Sequence, residues 1–197
     1  MPGREGAGVA SALDGFEPRS DEEAHDVERI RGLLRGGDPW SRSSPVHVTG
    51  SAIVVHPGSG RVLLRWHDRM RGWLQMGGHG DPGETDPFAI ARREAGEETG
   101  LDDLAAWPDP SSPALVHVVV VPVPAGRGEP EHKHADLRYL LATGRPDQAT
   151  PESPAAALRW LTIVEALAIG GVDGEDNLRT TLGRVAELLS SEDRAIP

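Results

Sequence analysis

GGHGDPGETDPFAIARREAGEETGL, residues 77–101, joins a loop to a helix, and that junction decides the fold. Residues 77–86 contain four glycines and a proline, so they form a loop whose backbone can approach a ligand and offer carbonyl oxygens. A helix is predicted over residues 87–99, with Asp86 placed to cap it, Pro87 at its first position and Gly100 closing it. At about 100° per residue, Glu94, Glu97 and Glu98 share an arc of roughly 100°. Like charges four apart weaken a helix by about 0.2–0.5 kcal/mol per pair. A divalent cation would relieve that repulsion, because hard ions such as Mg2+ and Mn2+ prefer oxygen ligands. Arg93, four residues before Glu97, can hold that carboxylate, while Phe88, Ala91 and Ala95 offer an apolar face for docking on a sheet. Such an acidic run alone is more often a solvated helix face. The glycine-rich loop feeding it favours an ion site.

Outward from this segment, the period alternates between strand and helix. Residues 46–55 are rich in β-branched side chains, residues 57–60 read as a turn, residues 61–66 form a second strand and residues 72–76 a short third. Downstream, residues 114–123 are an apolar run of strand length, expected to be covered on both faces. Residues 132–141 alternate, with His132, His134, Asp136 and Arg138 on one side and Ala135, Leu137, Tyr139 and Leu141 on the other. That polar side either faces solvent or lines a cleft. Residues 158–161 read as a last short strand, followed by an apolar segment at 162–169 and an amphipathic helix over 175–189. Upstream, Ser20 and Glu23 have capping-box spacing before a stripe of Val27, Ile30, Leu33 and Leu34 that Gly36-Gly37 ends. This helix is expected to be a packing accessory or a dimer arm. The pattern predicts an α/β protein of α+β type: a mixed sheet sandwiched between helices, with an N-terminal accessory helix.

The spacing within residues 78–101 resembles the Nudix box. In that pattern Gly, five residues, Glu and seven residues lead into Arg-Glu-apolar-any-Glu-Glu-any-Gly-apolar. Gly78 and Glu84 fit the first spacing; Arg93, Glu94, Ala95, Glu97, Glu98, Gly100 and Leu101 fit the second half without a gap. Eight residues rather than seven separate Glu84 from Arg93, which leaves the placement of Glu84 open. The resemblance implies a Nudix-like α/β/α sandwich and a divalent-metal-dependent hydrolase of a phosphoanhydride bond in a nucleoside diphosphate derivative. It implies Mg2+, with Mn2+ as a substitute, held by Glu94, Glu97, Glu98 and the carbonyl of Gly78. Glu94, Arg93 and Glu98 become the candidate catalytic residues, with Arg93 orienting Glu97 or another box carboxylate and Glu94 nominated, beside an acid outside the box, to take the proton. His79, His134 and Asp136 are candidate substrate contacts; Trp66 and Trp73 are expected in the core before they are expected to stack on a base. The implied layout is a tail at 1–19, a helix and linker at 20–44, the hydrolase domain at 45–190 and a tail at 191–197.

Composition narrows the alternatives. Across 197 residues the formal net charge is -11, which opposes binding of duplex nucleic acid, where Lys and Arg contacts to phosphate dominate. A small phosphate compound can still bind when a cation mediates the contact. Cysteine is absent, which excludes disulfides, a thiol nucleophile and the related isomerases that use a cysteine. No stretch approaches the roughly 20 apolar residues that span a bilayer, and residues 1–15 lack the charged start and apolar run of a signal peptide, so a cytoplasmic protein with no membrane partner is expected. The expected partner is a small nucleotide derivative, with a homodimer through the N-terminal helix as a further expectation. The rival class is a non-catalytic domain of the same family that senses a nucleotide; such a domain is expected to have lost box carboxylates, and all are present here.

Overall fold

The computed structural model describes residues 4–126, 128–171 and 176–192. β1 (Val46–His56), rich in β-branched residues, and β7 (His132–Ala142), which alternates polar and apolar side chains over its first half, are the two longest strands, and they pair in parallel from Val46 opposite Lys133 to Val55 opposite Ala142. The other edge of β1 is shared. Residues 54–56 pair with β2 (Arg61–His67), residues 50–52 with β4 (Met76–Gly78), both antiparallel. β3 (Gly72–Leu74) and β8 (Leu158–Thr162) pair with β2, while β6 (Leu115–Val123) and the two-residue β5 (Ala105–Ala106) pair with β7. The result is one mixed, eight-stranded sheet. The single short strand expected over residues 72–76 is two strands, because the chain leaves the edge of β2 at Leu74 and joins that of β1 at Met76.

Helices cover both faces. On one, α3 (Pro87–Thr99) lies across β1, with α2 (Asp21–Gly36) beside β6. Asp86 caps α3 by accepting from the Phe88 N–H at 2.9 Å. α3 comes so close at Gly50 that a Cβ there would sit 2.5 Å from the Pro87 carbonyl oxygen, so only glycine admits this packing. The core beneath is Val27, Ile30, Ala52, Ala91, Ala95 and Leu137, all nearly inaccessible. The opposite face packs Ile53, Val62, Leu64 and Leu140 against α4 (Ile163–Ile169) and α5 (Asn177–Glu192) through Ala166, Leu178, Leu182 and Val185. Residue 175, where the last helix was expected to begin, lies outside the described residues, as do 193–197 of the expected C-terminal tail.

The N-terminal segment departs from expectation. Residues 7–14 form α1 (Ala7–Asp14) rather than a flexible tail, packed on α2 and α3. Val9 and Leu13, one helical turn apart, are fully buried and supply the reason; the Gly/Ala composition around them conceals the pair. α2 is tied into the domain as well. Arg184 of α5 donates two bonds of 2.6 Å to the buried carboxylate of Glu23, which also accepts from the Val118 N–H at 3.1 Å. Among the described residues, no helix is long and apolar enough to cross a membrane.

Candidate active site

Arg93 organises the acidic face of α3. Its guanidinium donates to Glu84 through Nε at 3.1 Å and Nη2 at 2.9 Å, to Glu94 at 2.9 Å, to Glu97 at 3.0 Å and to the carbonyl oxygen of His79 at 2.9 Å. The extra residue before Arg93 is absorbed ahead of Pro87, and Glu84 still reaches the arginine while accepting from the Asp81 N–H at 2.8 Å. These contacts raise the Arg93 pKa and lower that of Glu84. Glu98 points the other way, toward the sheet. It accepts from the Gly77 N–H at 3.1 Å and lies 3.3 Å from Arg65, whose second partner is Glu152. β4 places Gly78 against the helix so tightly that a Cβ there would meet the Glu94 carboxylate at 2.7 Å. The structure therefore brings Gly78, Glu84, Arg93, Glu94, Glu97 and Glu98 together.

The electrostatics of this cluster are unbalanced. Burial pushes Glu98 up to about 7, outweighing Arg65 and the Gly77 N–H, and the neighbouring charges of Glu94 and Glu152 add to the rise. Burial also raises Glu94, against the opposing pull of Arg93. Carboxylates whose ionisation burial opposes more than their arginine neighbours favour it fit a divalent cation, and their hard oxygens, with the Gly78 carbonyl near by, are donors that Mg2+ prefers.

A cavity of about 450 Å³ opens beside the cluster. Gly77, Gly78 and Arg65 form the shared wall, and Trp66, Arg69, His79, His134 and Asp136 line the rest. That volume suits a nucleotide-sized ligand. The polar side of β7 does not face solvent, because Thr49 and Ser51 on the same face of β1, Gln75, and Thr181 of α5 close over Asp136 and Arg138. Asp136 is buried, accepting from Thr49 at 2.9 Å, Ser51 at 2.7 Å and Arg138 at 2.9 Å, with Gln75 at 3.4 Å. It forms a satisfied floor to the cavity. Asp136→Ala would leave Arg138, itself 2% exposed, without its ion partner and is expected to cost about 3–5 kcal/mol of stability. Urea unfolding checks this: an unmoved midpoint would contradict it.

His79 and His134 stand in a group with His47 and His132. Burial holds His79 down to about 4 and His134 to about 3, with their neighbouring imidazoles adding to the effect, and burial lowers His47. His47, Thr49 and Ser51 were not singled out from the sequence, nor was Arg65. The first three alternate along β1 and so share its polar side, a signal that was there to be used. Arg65 carried no such signal; only the folded sheet brings it to Glu98.

The sequence pattern of the NUDIX domain matches residues 46–181. Among solved structures, a NUDIX-family hydrolase from Clostridium perfringens is similar, with 24% identity and a TM-score of 0.54 over 74% of this chain and 97% of that one. An Ap4A hydrolase from C. elegans, solved as a binary complex, is 17% identical with a TM-score of 0.54, over 73% of this chain and 98% of its own. The NUDIX domain of NrtR from Shewanella oneidensis, complexed with ADP ribose, is 15% identical with a TM-score of 0.53, covering 80% and 96%. At these identities the likeness is one of fold. No curated protein matches the chain.

Proposed function

The chain belongs to the NUDIX family, and from that premise we propose that it is a pyrophosphohydrolase that cleaves a phosphoanhydride bond in a nucleoside diphosphate joined to a second moiety, with Mg2+ as its ion. The observation that carries this reading is the convergence of buried Glu98 and half-buried Glu94, both with ionisation opposed by burial, beside Gly78 at the wall of a nucleotide-sized cavity. Glu94, Glu97, Glu98 and the Gly78 carbonyl are the residues that would hold the ion. When bound, Mg2+ neutralises diphosphate oxygens and lowers the pKa of a coordinated water; Mn2+ can replace it.

Arg93 positions. Its bonds to Glu84, Glu94 and Glu97 hold three carboxylates in one geometry despite their mutual repulsion, and its bond to the His79 carbonyl fixes the loop against the helix. Glu94 is the carboxylate we nominate to accept the proton of the attacking water. His79 and His134 face the substrate side of the cavity above the Asp136 floor, and Trp66 with Arg69 completes a wall of mixed aromatic and cationic character suited to a nucleotide.

Ap4A and ADP ribose, the compounds named with two of the structural relatives, are the first to test. The experiment is a screen of dinucleoside polyphosphates, nucleoside diphosphate sugars and nucleoside triphosphates in H2(18)O, with products identified by mass. Label in a phosphate of one product, with the glycosidic and ester bonds intact, is the expected result. Tight binding of these compounds without any turnover would overturn the reading in favour of a nucleotide sensor.

A further inference from the structure

Four of the eight histidines in the chain converge at one point. His47 comes from β1, His79 from the start of the loop after β4, and His132 and His134 from the same side of β7. Register places His47 directly beside His134 on the neighbouring strand. One ring nitrogen from each lies within 4.8 Å of all the others, and His47 and His132 are buried. We propose that these four imidazoles bind one tetrahedral transition-metal ion of the zinc class, separate from the carboxylate site of α3.

Hydrogen bonding has already set the direction of two ligands. The Nδ1 of His47 lies 3.1 Å from the Ser44 carbonyl oxygen, and that of His132 lies 2.8 Å from the Pro130 carbonyl oxygen. A carbonyl only accepts, so each Nδ1 carries the proton and each Nε2 turns a bare lone pair inward. Metal-bound histidines are typically held this way, by a carbonyl on the far nitrogen. The inward nitrogens meet their neighbours at close range: His47 Nε2 is 2.9 Å from His79 Nε2, and His132 Nε2 is 3.2 Å from His134 Nε2. Tetrahedral zinc at about 2.0–2.1 Å from each nitrogen requires nitrogens roughly 3.3 Å apart, a value that lies between these close pairs and the 4.8 Å limit of the group.

The donor type separates this site from the other. Imidazole nitrogen suits Zn2+, Co2+ and Ni2+, whereas Mg2+ avoids it for the oxygens on α3. Asp136 and Glu129 supply negative charge near the cluster, opposed by Arg42. With all four positions filled by protein the ion is structural rather than catalytic. It ties together β1, β7 and the loop at His79, whose own carbonyl oxygen is held by Arg93. The ion would therefore pin the segment that carries Gly78.

The test uses the full chain and does not depend on turnover. Protein purified from zinc-supplemented growth and dialysed is expected to retain about one zinc per chain, measured by elemental mass spectrometry. His47→Ala and His134→Ala are each expected to lose it, and Glu98→Gln to keep it. Because a histidine variant can fail by unfolding, wild-type protein stripped of metal is also titrated with Co2+ alone. Intense visible absorption of tetrahedral cobalt, abolished by added Zn2+, is expected. Wild-type protein that retains no zinc and gives only the weak spectrum of octahedral cobalt overturns the proposal, as does zinc retained in both histidine variants.

Discussion

Glu98→Gln is expected to slow turnover by roughly 10²- to 10⁴-fold, about 2.7–5.5 kcal/mol of transition-state stabilisation. The substitution removes a charge from the carboxylate set that would hold the ion, while keeping the oxygen that accepts from the Gly77 N–H at 3.1 Å. The fold should survive. Burial pushes Glu98 up to about 7 in spite of the Arg65 guanidinium 3.3 Å away, and replacing the carboxylate with a neutral amide removes that desolvation cost. Glu84→Gln supplies the contrast. Glu84 is tied to Arg93 and to the Asp81 N–H, at the outer end of the network, and Arg93 keeps its bonds to Glu94, Glu97 and the His79 carbonyl without it. Its loss is expected to slow turnover by on the order of tenfold or less, about 1.4 kcal/mol. The two variants are compared as kcat/KM at saturating Mg2+, beside their melting curves. Equal losses would place Glu84 on the ion with the others. A negligible loss for Glu98→Gln, with the fold intact, would remove α3 from the active site.

The parts of this molecule that were legible in its sequence are those decided by neighbours in the chain. The cap at Asp86, the proline at the first turn of α3 and the closing Gly100 are local signals, and the helix runs where they put it. The acidic arc of Glu94, Glu97 and Glu98 needed only helical geometry. The eight-residue spacing left Glu84 unplaced because loop geometry depends on what the loop packs against; in the fold, Arg93 draws it in.

What was not legible depended on contacts distant in sequence. The polar side of β7 could be read as a side but not as buried, since the groups that close over it, Thr49, Ser51, Gln75 and Thr181, are distant from it in sequence. The four-histidine group required the register that sets His47 beside His134, and a turn of β4 that delivers His79. α1 was hidden for another reason. Two buried side chains, Val9 and Leu13, are too few to stand out in a Gly/Ala-rich segment, and its helix is stable because the domain covers them.

The account rests on an ion bound by the α3 carboxylates, and the most direct measurement follows turnover as Mg2+ is titrated from zero into desalted wild-type protein, with a parallel sample in EDTA. Removing the ion strips the positive charge that the reaction needs, an effect as large as any single substitution can have. The predicted result is no detectable turnover at zero Mg2+ or in EDTA, and a saturable rise to full rate on titration, reproduced by Mn2+. Full turnover in EDTA, unchanged by added Mg2+, would contradict it.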